Sequence, residues 1–229
     1  MNKAIYDNVM SAILLSGSRG IRFFYYSTSE VFWSMPSPDA YIGKDDVPGE
    51  RIDAGNPRSI YALGKLYAER NLADRMRFLN NGVFAAATVI RPFNVFGPGQ
   101  RRGVMYSMVK SCVEEGVIRY SDDTTRTLTE LSYISGKTAS MMDGAGFRSV
   151  NMSDGFSTDM ETLALAVGRF MSWKFGFPAP GIEKLPPDRS IRYRQASPVS
   201  RDPDEIFGML RDSADMNALA VEIKEGSGR

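Results

Sequence analysis

Tyr61 and Lys65 are the two residues of this 229-residue chain whose types and spacing suggest chemistry most directly. They stand four positions apart in I-Y-A-L-G-K-L-Y-A-E (Ile60–Glu69), a stretch whose pattern predicts a helix. Four residues make slightly more than one helical turn, so the two side chains lie one above the other on one face. A free phenol titrates near ~10 and is a poor base at neutral pH. An ammonium one turn away favours the phenolate and lowers that pKa. The phenol can then take a proton from a substrate hydroxyl or return one to it. Hydride transfer between a nicotinamide and an alcohol carbon requires that proton step. A lone Y-x-x-x-K arises by chance in about one such chain in three, so the pair needs support from its surroundings.

Composition narrows the alternatives. The sequence contains no histidine, which excludes Ser-His-Asp and Cys-His machinery, His-ligated metals and histidine bases. Proton handling must then fall to Tyr, Lys, Asp or Glu, or to a cofactor. Lys plus Arg is 28 and Asp plus Glu is 27, so no global field draws the chain to nucleic acid or an anionic membrane. Cys112 is the single cysteine, expected as a small buried hydrophobe, and no metal site is expected. No apolar run approaches the ~20 residues of a membrane span, and Met1–Asp7 is unlike a signal peptide. A cytoplasmic location is the expectation.

The elements that must position the pair follow in order. Ala4–Ser16 reads as an amphipathic helix stopped by Gly17. Ile21–Ser27 is short and aromatic, predicting a strand buried on both faces, as in helix-covered parallel sheets. Ser34–Gly55 reads as a loop. Asn56-Pro57 opens the helix of Tyr61 and Lys65, which runs to about Leu79 before Asn80-Asn81-Gly82. Phe84–Arg91 is a second buried strand ending at Pro92. Helix, strand, helix, strand is the rhythm of a doubly wound α/β sheet. Farther on, the pattern predicts helices over Val104–Glu115, Leu131–Met142, Thr158–Trp173 and Pro203–Leu210. Short strands are predicted over Ile118–Tyr120 and Ser149–Met152, with a polar turn at Asp122–Arg126, a linker at Phe177–Pro187, and a frayed end over Lys224–Arg229. Two domains are expected, a sheet-based one over 1–100 and a smaller mixed α/β one over 101–229.

Four segments in order resemble one family: Y-S-T-S-E-V-F (Tyr26–Phe32), Y-A-L-G-K (Tyr61–Lys65), R-P-F-N-V-F-G-P-G-Q (Arg91–Gln100) and T-R-T (Thr125–Thr127). They resemble the extended short-chain dehydrogenase/reductases, and more narrowly the NAD-dependent nucleotide-sugar epimerases, dehydratases and decarboxylases. The resemblance implies a Rossmann-type fold, NAD (or NADP) as cofactor, a nucleotide-sugar substrate, and a homodimer through the Tyr61 helix. It places Tyr61, Lys65, Thr28 and Glu30 in catalysis, with Thr28 at the carboxyl end of a strand, where open α/β sheets bind ligands. It implies that Lys65, Tyr61, Pro92 and Ser27 meet the cofactor. Ser29, Asn94, Arg126 and Arg194 would meet the sugar or its phosphates, since guanidinium forks suit diphosphate. A surface arginine is the plain alternative for Arg126 and Arg194, and a strand-end residue the plain alternative for Thr28 and Pro92. Asn8 matches a supporting asparagine, or is an ordinary helix residue. Ser29-Glu30 after Thr28 resembles the wording of UDP-glucuronate decarboxylases, and of some epimerases. Ser29 cannot donate a proton as the aspartate of T-D-E dehydratases does, which disfavours dehydration.

The departures are also specific. The family opens with a strand, a G-x-x-G-x-x-G turn and a helix that cradles pyrophosphate. Gly17-Ser18-Arg19-Gly20 follows a helix and precedes a strand, the reverse order. Trp33, Gly64 and Gly136 also depart from the family's usual residues. The expectation is an N-terminally truncated doubly wound sheet, part of a longer enzyme, whose open edge favours aggregation. The alternative is a short relative that binds a nucleotide-sugar or a partner subunit without holding NAD.

Overall fold

A computed structural model describes residues 2–32, 42, 48, 57–79, 81–120, 125–154, 156–186 and 199–228. The element order begins α1 (Asn2–Leu15), β1 (Ile21–Tyr26), a 3-10 turn (Ser29–Phe32), α2 (Pro57–Phe78), β2 (Phe84–Pro92) and β3 (Val95–Phe96). It continues α3 (Val104–Glu115), β4 (Val117–Tyr120), β5 (Thr125–Glu130), α4 (Leu131–Ser140), β6 (Gly146–Met152) and β7 (Phe156–Asp159). The last elements are α5 (Met160–Phe175), β8 (Gly181–Lys184), β9 (Val199–Ser200), α6 (Pro203–Asp212) and α7 (Ala214–Gly226). Among the described residues, no helix is long and apolar enough to cross a membrane.

The chain forms two compact units, residues 1–93 with 136–152, and residues 94–135 with 153–229. The first break falls at 93/94 where 100/101 is expected, and the segment 136–152 returns to the first unit.

The first unit is a parallel sheet in the order β1-β2-β6, with α2 as the crossover from β1 to β2. Period-two alternation turns Phe23 and Tyr25 of β1, and Ala87 and Val89 of β2, toward the helices. They pack there on Tyr6 and Met10 of α1 and on Ala68 and Leu72 of α2. β2 lies between two strands and is buried along nearly its whole length, as its unalternated apolar run requires. β1 is only half-buried, contrary to the sequence expectation. It stands at one edge of the described sheet, and Arg22 and Tyr26 are exposed.

The second unit is built on small sheets, β3-β5-β7-β9 and β4-β8, packed against α3, α5, α6 and α7. α5 is capped at its start by Asp159, whose carboxylate accepts from the Thr162 N–H at 2.8 Å. Gly176, at φ 68°, ends it in the left-handed conformation that glycine tolerates. Cys112 lies buried in this core, and burial pushes its thiol up to about 11.

Several sequence expectations are corrected here. Thr125 and Arg126 open the strand β5 rather than closing a turn, because the segment pairs antiparallel with β7. Thr158 belongs to β7, so the following helix starts at Met160. The expected linker contains β8, paired with β4, and residues 224–226 of the expected frayed end belong to α7. Most of the Ser34–Gly55 loop, Arg194 and Asn80 lie outside the described residues.

Candidate active site

The predicted residues of the first unit gather at the carboxyl ends of β1 and β2. α2 starts with Pro57 at its first position and presents Tyr61, Lys65 and Glu69 along one face. Lys65 Nζ donates to the Tyr26 carbonyl at 2.7 Å, the last residue of β1. The same ammonium stands 5.0 Å from the Tyr25 ring centroid and 5.9 Å from that of Tyr61. Tyr61 itself is 41% exposed, open to a ligand rather than packed in the interior. Burial lowers the Lys65 pKa, and the Glu69 carboxylate partly offsets this. Burial also raises the Tyr25 phenol, and the nearby Glu69 carboxylate adds to that shift.

Thr28 lies two residues beyond the end of β1. Its hydroxyl accepts from the Glu30 N–H at 3.2 Å, which starts the 3-10 turn of Ser29–Phe32. Accepting leaves the Thr28 O–H able to donate. Ser29 and Glu30 are half-exposed on that turn, while Val31 and Phe32 anchor it in the core. Pro92 ends β2 beside Met152 of β6. Ser27, expected at the cofactor, is buried and donates its hydroxyl to Glu69.

That contact opens onto a cluster that the sequence reading did not single out. The Glu69 carboxylate also accepts from Arg91, at 3.0 Å from Nε and 2.7 Å from Nη2. Arg91 Nη1 donates to Asn151 Oδ1 at 3.2 Å, and its guanidinium lies 5.5 Å from the Phe32 ring. Ser27, Glu69, Arg91 and Asn151 are all buried. The available signal was position: Glu69 continues the Tyr61–Lys65 face by one more turn.

Asn94 and Arg126 belong to the second unit. Asn94 is the single non-glycine residue with positive φ among those described, at 21°. Its amide donates to the Thr127 carbonyl at 2.7 Å, and its own carbonyl accepts from the Thr129 N–H at 3.4 Å. Arg126 is buried on β5, opposite Thr158, with Nε 2.9 Å from Met160 Sδ. A cavity of about 440 Å³ opens in this unit near Asp159, Glu161, Thr162 and Arg201, and among the described residues none of the predicted site residues lines it. Arg194 lies outside the described residues. Among those described, no group of three Cys, Asp or Glu residues is placed to hold a metal ion.

Helices over a parallel sheet with polar residues at its carboxyl edge define a Rossmann-like α/β protein. A family model for the NAD-dependent epimerase/dehydratase family matches residues 2–129, more than half of the chain, and the chain belongs to that family. No curated protein matches the chain. Among solved structures, it is similar to RMD from Pseudomonas aeruginosa complexed with NADPH, with TM-score 0.68 and 19% identity over 100% of this chain and 74% of that one. It is similar to MoeE5 in complex with UDP-glucose and NAD, with TM-score 0.65 and 23% identity over 100% of this chain and 72% of that one. A third is the UDP-glucuronic acid 4-epimerase of Bacillus cereus in complex with UDP-glucuronic acid and NAD, with TM-score 0.66 and 16% identity over 98% and 67%.

Proposed function

We propose that this chain acts on a nucleotide-sugar as an epimerase- or decarboxylase-type oxidoreductase, with Tyr61 as the base that takes a proton from a sugar hydroxyl. The observation that carries the reading is the Lys65 ammonium, fastened to the end of β1 and set beside an exposed Tyr61 ring. A fixed cation there favours the phenolate. Thr28, with its O–H able to donate, is placed to steady the same sugar oxygen. Glu30 and Ser29 flank it as further polar contacts. Asn94 and Arg126 of the second unit, like Arg194, are assigned to the nucleotide-sugar by resemblance alone.

NAD, or NADP, is the cofactor that this reading requires. Tyr61, Lys65 and Pro92 stand at the strand ends, where open α/β sheets take ligands, and so fit the nicotinamide half. Ser27 contributes there through the chain position it fixes for Thr28. Gly17–Gly20 lies at the opposite end of the six-residue strand β1, about 20 Å away, and cannot cradle a pyrophosphate beside Tyr61. When bound, the nicotinamide supplies the hydride acceptor for the sugar carbon. The exposed Ile60, Leu63 and Tyr67 of α2 support a homodimer contact on that helix.

The test is Tyr61→Phe, assayed with UDP-glucuronic acid and UDP-glucose in the presence of NAD. Turnover falls about 10²–10⁴-fold with nucleotide-sugar affinity retained, the scale of a lost general base. Turnover within a factor of two of the parent would refute the role of Tyr61.

A further inference from the structure

We propose that Glu69 is the positioning residue of the Tyr61–Lys65 pair, holding α2 in register with the carboxyl ends of three parallel strands. The inference deepens the reading of Tyr61 as base and rests on it.

The argument starts from the sheet. Register places Tyr26 beside Ile90, and Arg91 beside Asn151, so Ser27, Arg91 and Asn151 form one row across β1, β2 and β6. The Ser27 N–H donates to the Ile90 carbonyl at 2.7 Å, which continues the ladder into that row. Two of its three members sit next to a residue of the site, since Ser27 precedes Thr28 and Arg91 precedes Pro92. A single carboxylate from α2 gathers the row. Glu69 accepts from Ser27 and, through both oxygens, from Arg91, which in turn donates to Asn151. Bidentate guanidinium–carboxylate geometry fixes orientation as well as distance. Glu69 is one turn from Lys65 and two turns from Tyr61, so fixing it sets the height and rotation of both above the strand ends. Apolar packing of α2 could hold the helix without specifying that register to a fraction of an ångström. A buried charge pair penalises every other register.

The same carboxylate acts on Lys65 through its charge. Lys65 faces Tyr61 and Glu69 on its own helix and Tyr25 and Tyr26 on β1, with Arg91 of β2 neutralising part of the Glu69 charge. Among these, Glu69 is the group that opposes the desolvation of the ammonium.

The experiment has two readouts on the full chain. The first is competitive acetylation of the eight lysines across pH, quantified by mass spectrometry, in the parent and in Glu69→Gln. Lys65 is expected to label at least threefold faster in the variant at pH 8, with the other seven unchanged. Unchanged labelling of Lys65 overturns the inference. The second is turnover of Glu69→Met/Arg91→Met, which replaces the buried pair by apolar side chains of similar length. Melting within a few degrees of the parent, with kcat down tenfold or more and KM within twofold, supports positioning. A kcat that returns to the parent value together with the melting temperature shows a merely structural role and overturns it. If the double variant does not fold, Glu69→Gln is read for the same split of kcat against KM. If the parent turns over no nucleotide-sugar while Lys65 labelling still responds to Glu69, the functional reading fails and the positioning stands.

Discussion

The Lys65 ammonium lies half-buried between the Tyr25 and Tyr61 rings, and burial lowers its pKa more than Glu69 raises it. The unfolded chain therefore holds that proton more tightly than the folded one. By linkage, the contribution of Lys65 to stability increases as pH rises through the range just below 10.5. A side chain that burdens the fold at neutral pH and faces an exposed phenol has the profile of a residue kept for chemistry. Lys65→Met should keep the parent's stability at pH 7 within about 1 kcal/mol in urea melts. The parent should gain on the variant as pH rises from 8 to 10, and turnover should fall by about two orders of magnitude or more. Asn94 makes a parallel case in the second unit. Its positive φ is tolerated by asparagine better than by most residues, and its amide ties it to Thr127. Asn94→Ala is expected to lose about 1–3 kcal/mol in equilibrium unfolding. Asn94→Gly should lose less, since only the hydrogen bond goes. The Tyr61–Lys65 pair was legible because four-residue spacing on a helix is local information. The Glu69–Arg91 pair was not, because its partners lie 22 to 60 positions apart and meet only through parallel strand register.

Helix α5 shows how element-scale packing can override propensity. Alanine is normally better than glycine inside a helix by about 1 kcal/mol. At Gly168, however, an added Cβ would stand 2.9 Å from Pro180 Cγ and 3.3 Å from Pro180 Cδ. The pyrrolidine ring cannot swing aside as a flexible chain end would, so helix and β8 segment must separate. Gly168→Ala should therefore destabilise by about 1–3 kcal/mol, the usual range for overpacking, and a gain in melting temperature would contradict this. That contact was invisible in sequence for the same reason that β8 was: G-I-E-K is exposed along its length and carries no hydrophobic period. β5 was hidden differently. Leu128 is its one core hydrophobe, flanked by the buried Thr127 and Thr129, and the Thr127 and Ser157 hydroxyls satisfy each other at 2.6 Å across the pair. A polar strand of this kind reads as a turn until its partner is known. α2, β2 and α3 were legible because length, capping and apolar pattern agreed. α7 had signals too, with Ser213 as cap and Met216, Leu219, Ala220 and Ile223 at helical spacing, but they fell near the chain end.

At the scale of the whole molecule, the absence of histidine makes pH a clean probe. Ordinary carboxylates have finished titrating by about pH 6 and ordinary lysines begin near 9, which leaves between them the α-amino group and, in the unfolded chain, the upper-edge titration of the Cys112 thiol that burial holds protonated in the fold. Stability should accordingly be flat from about pH 6 to pH 8.5, apart from the rise with pH that a Tyr61 phenol titrating in that window adds. Below that range two signs compete. Asp7, Asp212 and Glu222 are held low by Lys3, Arg211 and the Gly99 N–H respectively, so they contribute stability that is lost as pH falls through their folded pKa values. Asp212 is exposed and Asp7 and Glu222 are half-exposed, so solvent screening keeps their effect small. Asp154 is raised by burial, so its contribution has the opposite sign: present at low pH and lost as pH rises through its folded pKa. The plateau gives activity measurements unusual leverage. If the fold does not change between pH 6 and 8.5, an inflection of kcat in that window belongs to the site, and the Tyr61 phenol is its owner under the function proposed. The inflection should therefore move to higher pH in Lys65→Met, where the phenolate loses its neighbouring cation. Circular dichroism and urea melts at each pH check the plateau, and kcat profiles of parent and variant check the owner. An inflection at the same pH in both proteins would assign it to another group and remove Lys65 from the proton step.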